Sequence, residues 1–393
     1  MSEWKEYRLG DIVEILDSKR IPLSATQRQS MKGCYRYFGA QGIIDYINDY
    51  IFDGEYLILA EDGENLKSRK APIARIVSGK FWLNNHAHIM QSNGKANLKL
   101  LNAILNKSDI SGYITGSAQP KLNQENMSCI KVKLPSLHEQ KKIAGILSSL
   151  DEKIETNRKI NARLEELAQA IFKSWFIDFE PFGGKKPEDW VYKAISDFPH
   201  EIETGKRPKG GVSGITEGIP SIGAESIKGI GYYDYAKTKY IPYEFAESMK
   251  KGRIKDFDLL IYKDGGKPGY FIPDFSMMGM GFPFDEMFLN EHVFRLNFGK
   301  PELNIFAYFF FKTEEIMNYL NSVGGKAAIP GINQKNVEDV EILDLDIPQI
   351  HKFGKIVLPM FQDILENSKE SARLAALRDT LLPKLMSGEL IPE

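Results

Sequence analysis

The chain has 393 residues, 42% of them hydrophobic, which is enough for two or three domains with substantial cores and argues against global disorder. Its formal net charge of −2 argues against a wholly basic nucleic-acid binder, although local basic patches remain compatible with it. Two cysteines make no disulfide framework, no stretch approaches 18 uninterrupted apolar residues, and the N-terminus lacks a signal peptide's basic and apolar regions, so neither export nor a membrane span is expected.

Residues 1–136 alternate short β-like runs with Gly, Pro, Asn and Asp. The runs predicted as strands are YLILA, APIARIV, HAHIM and IKVKL, and NLKLLNAILN is predicted as a helix. This mixture predicts a sheet-rich α+β domain with its loops on one side.

Residues 137–177 predict one long helix. Its apolar residues step by four and three throughout, which is the heptad pattern of a coiled coil. This first seam consists of Ile143, Leu147, Leu150, Ile154, Asn157, Asn161, Leu164, Ala168, Ile171 and Trp175. A second apolar stripe on the same helix is a candidate surface for another subunit or for burial in the helix pair, and it consists of Ile146, Leu150, Ile160, Leu164 and Leu167.

Residues 178–348 predict a second α+β domain, with strands at DLLIYK, GYFI and HVFRL and a helical segment at IFAYFFFKTEEIMNYL.

Residues 349–393 predict a second long helix, with a kink or late start near Pro359, its regular part ending at Pro383 and a stop signal at Gly388. Its seam consists of Val357, Met360, Ile364, Asn367, Ser371, Leu374, Arg378, Leu381 and Leu385. We expect the two helices to pack antiparallel on each other. A helix packed only on its own domain is the simpler alternative.

The chain repeats itself. NRKINARLEEL at 157–167 matches NSKESARLAAL at 367–377, and PKLNQENM at 120–127 matches PGINQKNV at 330–337, both at an offset of 210 residues. Weaker matches join LNNHA to LNEHV, LILAEDG to LLIYKDG, and SKRIP to GKRP. Two strong matches at one offset indicate a tandem duplication with pseudo-two-fold symmetry, and the period is too long for a solenoid.

Basic residues cluster on predicted loops in both halves, beside Gly, Pro, Ser and Tyr. Residues 18–36 and 65–80 hold five cations each and no acid, and GKRPKGG at 205–211 is similarly basic. Such loops suit phosphate neutralisation together with contacts to base edges. Each cluster alone is more often a solvated surface, but the recurrence in both halves favours binding.

The sequence lacks recognisable catalytic and metal-binding motifs. It has no GxxxxGK[ST] loop, no strand-turn-helix context for its GxG triplets, no amino-methyltransferase tetrapeptide, and no HExxH or Cys/His zinc spacing. His86 and His88 are two residues apart on a predicted strand, where a structural hydrogen bond or a DNA contact is a better interpretation than a metal site. We therefore expect no catalytic residue and no metal in this chain.

The segment PSLHEQKKIAGILSSLDEKIETNRKINARLEELAQAIFKSWFIDFEP resembles the central region of the specificity subunits of type I restriction–modification enzymes. LAALRDTLLPKLMSGEL resembles their C-terminal region, and GSAQPKLNQ, GINQ and WKEYRLGDI fit as well. The resemblance covers essentially the whole chain, and it is specific in the helices and weak in the globular halves. It implies target recognition domains at 1–136 and 178–348, separated by two long antiparallel coiled-coil helices at 137–177 and 349–393.

The resemblance also implies a function and partners. Each recognition domain is expected to read one half of a split DNA site, and the helices to set the spacing and to dock two methyltransferase subunits. S-adenosylmethionine and ATP/Mg are expected on partner subunits, including motor-nuclease subunits, and the location is expected to be the cytoplasm of a prokaryote. The residues expected near double-stranded DNA are Lys19, Arg20, Gln41, Lys67, Arg69, Lys70, Gln119, Lys121, Lys206, Arg207, Lys209, Lys263, Lys267, Asn333 and Gln334.

Two other functions fit parts of the sequence. A protein-interaction adapter would carry two binding modules on a coiled-coil rod, without a nucleic-acid role. An enzyme would need a site in FPFDEMF at 282–288 or around His86, where no nuclease spacing is evident.

Overall fold

The computed structural model describes residues 4–116, 119–265, 271–325 and 330–390. The chain divides into two units, Met1–Glu152 with Leu374–Glu393, and Lys153–Arg373. This division runs through both long helices, and the domain boundaries expected from the sequence stay predictions. No helix in the described ranges is both long and apolar enough to cross a membrane.

The first unit is built on a mixed sheet of order β2-β7-β5-β6-β3-β4, with a separate antiparallel pair β1-β8. Its elements are β1 (Lys5–Arg8), α1 (Leu9–Ile12), β2 (Val13–Ile15), α2 (Ala25–Ser30), β3 (Lys32–Gly39), β4 (Gly42–Ile47), β5 (Phe52–Ala60), α3 (Asn65–Ser68), β6 (Ala74–Leu83), β7 (Ala87–Ser92), α4 (Leu98–Lys107), α5 (Gln124–Ser128), β8 (Lys131–Leu134) and the start of α6 (Leu137–Phe176). One core cluster joins Leu57 of β5, Leu101 of α4, Leu147 of α6 and Leu382 of the C-terminal helix.

The second unit repeats part of this topology. Antiparallel strands β10-β17-β14 correspond to β2-β7-β5, and the pair β18-β9 corresponds to β8-β1. Its elements are β9 (Tyr192–Ala194), β10 (Glu201–Thr204), β11 (Ile219–Ile222), β12 (Gly229–Ile230), β13 (Lys239–Ile241), α7 (Tyr243–Ser248), β14 (Leu259–Tyr262), β15 (Phe275–Met277), β16 (Phe288–Leu289), β17 (Val293–Asn297), α8 (Pro301–Phe311), α9 (Glu314–Gly324), α10 (Gln334–Glu338), β18 (Glu341–Leu343) and α11 (Pro348–Ser387). The duplication expected from the sequence therefore appears in the strand order.

The core of the second unit is aromatic. Phe172 of α6 stacks on Phe309 of α8 with ring centroids 5.6 Å apart, and it meets Phe353 of α11 edge-on at 5.9 Å. All three side chains are buried. Aromatic pairs of this kind add roughly 0.5–1.5 kcal/mol each beyond the area that they bury.

The long helices α6 and α11 are antiparallel wherever they meet within a unit. In the second unit, Lys153 pairs with Glu370 at 3.0 Å, and Asn161 donates to the Ile364 carbonyl oxygen at 3.1 Å, so rising numbers on α6 meet falling numbers on α11. The prediction of two long paired helices is confirmed.

Three local expectations need correction. IFAYFFFKTEEIMNYL is two helices rather than one, because the extended backbone of Thr313 separates α8 from α9. Helix α11 continues through both Pro359 and Pro383 and ends at Ser387, where Gly388 adopts a φ of 75°. Buried seam residues on both sides of each proline, such as Val357 and Leu385, hold the helix against the loss of one backbone hydrogen bond.

The segment GYFI at 269–272 is the third case. Residues 269 and 270 lie outside the described ranges, and Phe271 is not in a strand. It is fully buried and stacks on Tyr262 with centroids 5.4 Å apart. An apolar run alone does not distinguish a strand from a packed loop, so the prediction misread core packing as strand propensity.

Candidate nucleic-acid interface

Three segments of the sequence repeat meet at one edge of the first unit, where β5 ends and β7 begins. Nδ1 of His86 lies 2.7 Å from Oδ2 of Asp62, and the Gly63 amide donates to the Pro120 carbonyl oxygen at 3.1 Å. We call this group the first loop cluster and define it as Asp62, Gly63, His86, Pro120 and Lys121. It ties the turn after β5 to the turn before β7 and to the loop before α5.

The second unit contains the same arrangement at the end of β14. Nδ1 of His292 bonds to Oδ1 of Asp264, and the Gly265 amide donates to the Pro330 carbonyl oxygen at 2.9 Å. The second loop cluster is defined as Asp264, Gly265, His292, Pro330 and Gly331. Both clusters sit at the ends of corresponding strands.

The supporting hydrogen bonds are duplicated as well. The amide of His86 donates to Asn84, and that of His292 donates to Asn290, both at 2.9 Å. Two further backbone bonds are matched between the clusters. The Glu61 amide donates to the His86 carbonyl oxygen, as the Lys263 amide does to that of His292. The Leu122 amide donates to the Glu61 carbonyl oxygen, as the Ile332 amide does to that of Lys263. These contacts explain why LNxH, DG and the PxxNQxN segment recur in the sequence.

Asn123 and Asn333 recur because they cap short helices. Oδ1 of Asn123 accepts from the Asn126 amide at 2.7 Å, and Oδ1 of Asn333 accepts from the Asn336 amide at 3.0 Å. The capping oxygen satisfies an amide that the helix itself leaves unpaired. Gln334, also expected near DNA, donates to Glu338 within α10 at 2.7 Å. Asn333 and Gln334, the two residues of this helix start that were expected near DNA, thus make local hydrogen bonds and remain exposed.

Polar and basic candidates surround the first loop cluster. Nζ of Lys67 donates to the Gly116 carbonyl oxygen at 3.2 Å, and Lys121 pairs with Glu61 at 3.4 Å. Nε2 of Gln41 lies 3.9 Å from where a Cβ on Gly63 would stand. Gln119 belongs to the loop that precedes Lys121. All four candidate side chains are exposed, so this rim presents cations and amides to solvent.

Arg20 has a different environment from the one expected. Its guanidinium is 13% exposed and pairs with Glu61 at 2.7 Å and with Asp17 at 3.4 Å. His88 lies beside them, with Nδ1 2.5 Å from Oδ2 of Asp17 and Nε2 2.7 Å from the Leu122 carbonyl oxygen. These contacts build Arg20 into a buried ionic network.

Within the described ranges, Asp17, Glu61 and His88 are the one group of three side chains with metal-ligand spacing. The Arg20 guanidinium contacts both carboxylates there, and Lys121 supplies a second positive charge at 3.4 Å from Glu61. The cations paired with these carboxylates are thus side chains of the protein.

Arg69 also has a structural environment. It adopts a left-handed conformation with a φ of 51° after α3, and its guanidinium donates to the carbonyl oxygens of Leu105 and Ser108 at the end of α4. Burial lowers the pKa of Arg69. Lys70, which follows Arg69 in the sequence, is exposed, and so is Lys19. Their role as DNA contacts stays a prediction.

The second loop cluster is flanked by the other group of candidates. Nη2 of Arg207 lies 2.8 Å from Nε2 of His292, and Lys263 donates to the Glu291 carbonyl oxygen at 3.0 Å. Lys206 and Lys209 are exposed on the same loop as Arg207. Lys267 lies outside the described residues. The structure thus brings Arg207 and Lys263 together around His292.

Sequence reasoning missed two features of these edges. Asp62 and Asp264 hold the histidines, and their signal was the repeated DG dipeptide, which looked like turn punctuation alone. Arg75 is half-buried beside Gly42 and donates to the Pro72 carbonyl oxygen, and burial lowers its pKa. Its position shows that the basic run at 65–80 includes a cation packed against the β3–β4 hairpin.

Along α6 and α11, the predicted coiled-coil seam is shielded from solvent. The predicted seam residues are all buried or partly buried, and they are Leu150, Ile154, Asn157, Leu164, Ile171, Ile364, Asn367, Leu374 and Leu381. Asn157 is fully buried, and its Nδ2 donates to Oε2 of Glu370 at 2.7 Å and to the Asn367 carbonyl oxygen at 3.3 Å. The hydrogen bond from Asn157, together with Lys153, lowers the pKa of Glu370.

Residues 1–166 match the family model described as type I restriction modification DNA specificity domain. The chain is 31% identical over 310 residues to the type I restriction enzyme MjaIX specificity subunit of Methanocaldococcus jannaschii, a match that covers 72% of this chain and 65% of that relative, so it spans just under two thirds of the relative's length. It is 24% identical to the HindI specificity subunit of Haemophilus influenzae, over 99% of this chain and 100% of that protein.

A solved structure has the same fold. The crystal structure of a type I restriction-modification system S subunit from M. genitalium matches with a TM-score of 0.65 and 15% identity, over 100% of this chain and 97% of that one. The duplicated strand order, the paired helices and these relatives agree with one another. The chain therefore matches the specificity subunits of type I restriction–modification systems in both sequence and fold.

Proposed function

We propose that each unit reads one half of a split DNA target through its loop cluster and the cations around it. The observation that carries this proposal is that the same hydrogen-bonded cluster occurs in both units, with exposed basic residues beside it each time. Loops held by a rigid strand edge suit base reading because their side chains keep a fixed register. Lysines on the same rim suit the neutralisation of phosphates.

The paired helices are proposed to set the spacing between the two half-sites. The seam supports this role, because buried polar hydrogen bonds such as those of Asn157 fix the register of one helix against the other. In this proposal, the helix pair would act as a rod of constant length. Two readers on such a rod select half-sites at a fixed separation, comparable to a DNA turn of roughly 34 Å.

The helices are also proposed to dock two methyltransferase subunits. On α6, the apolar side chains of Ile146, Ile160 and Leu167 remain 36%, 42% and 50% exposed. Exposed apolar positions along a helix are a usual signature of a protein-binding surface. The partners would supply S-adenosylmethionine chemistry, and motor-nuclease subunits would supply ATP/Mg-dependent cleavage, in the cytoplasm of a prokaryotic cell.

The adapter alternative is not favoured, because the family carries DNA specificity. The segment FPFDEMF offers no support for an enzyme either, since its Glu286 pairs with Arg253 at 3.2 Å. Neither alternative explains why the cations recur beside both loop clusters.

The test is to profile DNA methylation in the host genome with and without this chain. We expect one bipartite motif, two short half-sites separated by a fixed unspecified spacer, to lose its methylation when the chain is deleted. Re-expression of the chain should restore the motif. An unchanged methylation profile, or loss of a single continuous motif, would contradict the proposal.

A further inference from the structure

The two loop clusters differ on the outer side of their histidines. In the second cluster, Nη2 of Arg207 lies 2.8 Å from Nε2 of His292. A guanidinium has only donors, so Nε2 must accept and carries no proton. The single ring proton therefore resides on Nδ1, which donates to Asp264. The carboxylate of Asp264 thus fixes the tautomer that lets His292 hold Arg207.

Glu291 also contacts Nη2 of Arg207. Its Oε1 lies 2.7 Å from Nη2 of Arg207, while its Oε2 is buried and has no hydrogen-bond partner among the described residues. The side chain of Arg207 is nevertheless 39% exposed. In the part of the chain that the structure describes, its Nε and Nη1 have no hydrogen-bond partner. The guanidinium is held at Nη2, while its Nε and Nη1 donors stay available.

The first cluster lacks this clamp. Arg20, the residue that aligns with Arg207, is 13% exposed and is bound inside the ionic network with Glu61 and Asp17. The His86 ring is consequently uncovered: its side chain is 52% exposed, and within the described ranges its Nε2 has no hydrogen-bond partner. The same backbone frame therefore presents an arginine in one unit and a histidine in the other.

We infer that the second unit presents the clamped Arg207 to a guanine edge in the half-site that it reads, with His292, Asp264 and Glu291 as positioning residues. The inference rests on the proposed DNA function. A base is favoured over a phosphate because the exposed neighbours Lys206 and Lys209 already supply positive charge for phosphates on the same loop. A guanidinium held at Nη2 directs its remaining donors at the O6 and N7 acceptors of guanine. In the first unit, His86 occupies the corresponding outward position.

The test uses the chain co-expressed with the methyltransferase subunits of its own system. The probe is a duplex with the motif found by methylation profiling, together with duplexes in which each G·C pair of one half-site is replaced. Arg207→Ala should weaken binding roughly ten- to hundredfold and abolish discrimination at one G·C pair in one half-site. Arg207→Lys, which keeps the charge without the guanidinium that His292 and Glu291 hold, should restore affinity in part but not the discrimination.

A double-mutant cycle tests the positioning role. His292→Ala should lose the same discrimination, and it should add little in the Arg207→Ala background, because it acts through Arg207. His292→Gln, which can still present an oxygen to the guanidinium, should recover part of the effect. A purely structural His292 would instead weaken binding equally in both backgrounds, and that result would overturn the positioning role.

Arg158→Ala is the matched control, because Arg158 is an exposed arginine of the same unit that pairs with Glu155 on α6. It should leave discrimination unchanged. If the wild-type complex shows no preference for the methylated motif, the proposed DNA function fails. If the wild type discriminates and Arg207→Ala discriminates equally well, this inference alone fails.

Discussion

The two units support their loop clusters with different side chains at equivalent positions. In the first, Arg20, Glu61 and His88 form a buried ionic network, whereas in the second, Lys263 and Phe294 occupy the positions of Glu61 and His88. Nζ of Lys263 lies 5.3 Å from the Phe294 ring centroid, so a cation–π contact takes the place of the network. The backbone of the loop cluster is kept while its interior chemistry changes.

His88 is expected to be a stability residue. It is 1% exposed and bridges Asp17 to the Leu122 carbonyl oxygen, so His88→Ala leaves two buried polar groups without their partner. We expect a loss of about 2–4 kcal/mol in the free energy of unfolding, measured by urea denaturation. His86→Ala is the control, since its ring is half exposed and its removal should cost under about 1 kcal/mol. Equal losses for the two variants would refute the bridging role.

Among the elements, the polar centre of the helix pair bears most directly on function. Asn157 and Asn161 of α6 both bond to α11, and Nδ2 of Asn367 donates back to Oδ1 of Asn161 at 3.0 Å. Shifting one helix by a turn would leave these amides facing apolar seam residues such as Met360 or Leu374. The network therefore selects one register, as polar seam residues do in coiled coils.

Asn157→Ala is expected to weaken the helix pair. It removes bonds to the Asn367 carbonyl oxygen, Glu370 and Ser371, and should cost about 1–3 kcal/mol of unfolding free energy by thermal or chemical denaturation. Arg163→Ala, on the exposed face of α6, is the control and should stay within about 0.5 kcal/mol. A stability of Asn157→Ala equal to that of the control would show that the buried amide contributes nothing.

For the whole molecule, an acidic net charge coexists with basic rims. The chain carries 51 basic and 53 acidic residues, so any attraction to DNA must arise from local placement. Lys67 and Lys121 stand beside the first loop cluster and are both exposed. Their contribution should therefore appear in the salt dependence of binding.

Replacing Lys67 and Lys121 together by Ala should weaken binding of the assembled complex to all duplexes alike. If each lysine neutralises one phosphate, the slope of log K against log salt should become less negative by roughly 2. Lys131→Ala with Lys133→Ala, in the β1–β8 pair, is the matched control and should leave the slope unchanged. An unchanged slope in the first double variant would remove those lysines from the interface.

Much of the architecture was predictable because it follows from regular spacing of residues in the sequence. The four-three spacing predicted both long helices, and the 210-residue offset predicted the duplicated strand order. The candidate site was less predictable. Counting basic residues could not reveal that Arg20 and Arg69 turn inward to carboxylates and carbonyl oxygens, because that depends on partners far away in sequence. The repeated DG and LNxH segments carried the missing information, which needs the pairing of β5 with β7 to be understood.

The distribution of thiols gives the two similar units different chemical handles. Both cysteines of the chain, Cys34 and Cys129, belong to the first unit and are exposed. A maleimide dye will therefore mark that unit alone. Cys129 directly follows α5, the helix that Asn123 caps, so a fluorophore attached there would report on events at the first loop cluster while the second unit stays dark. A single labelling reaction therefore distinguishes the two halves of this duplicated protein.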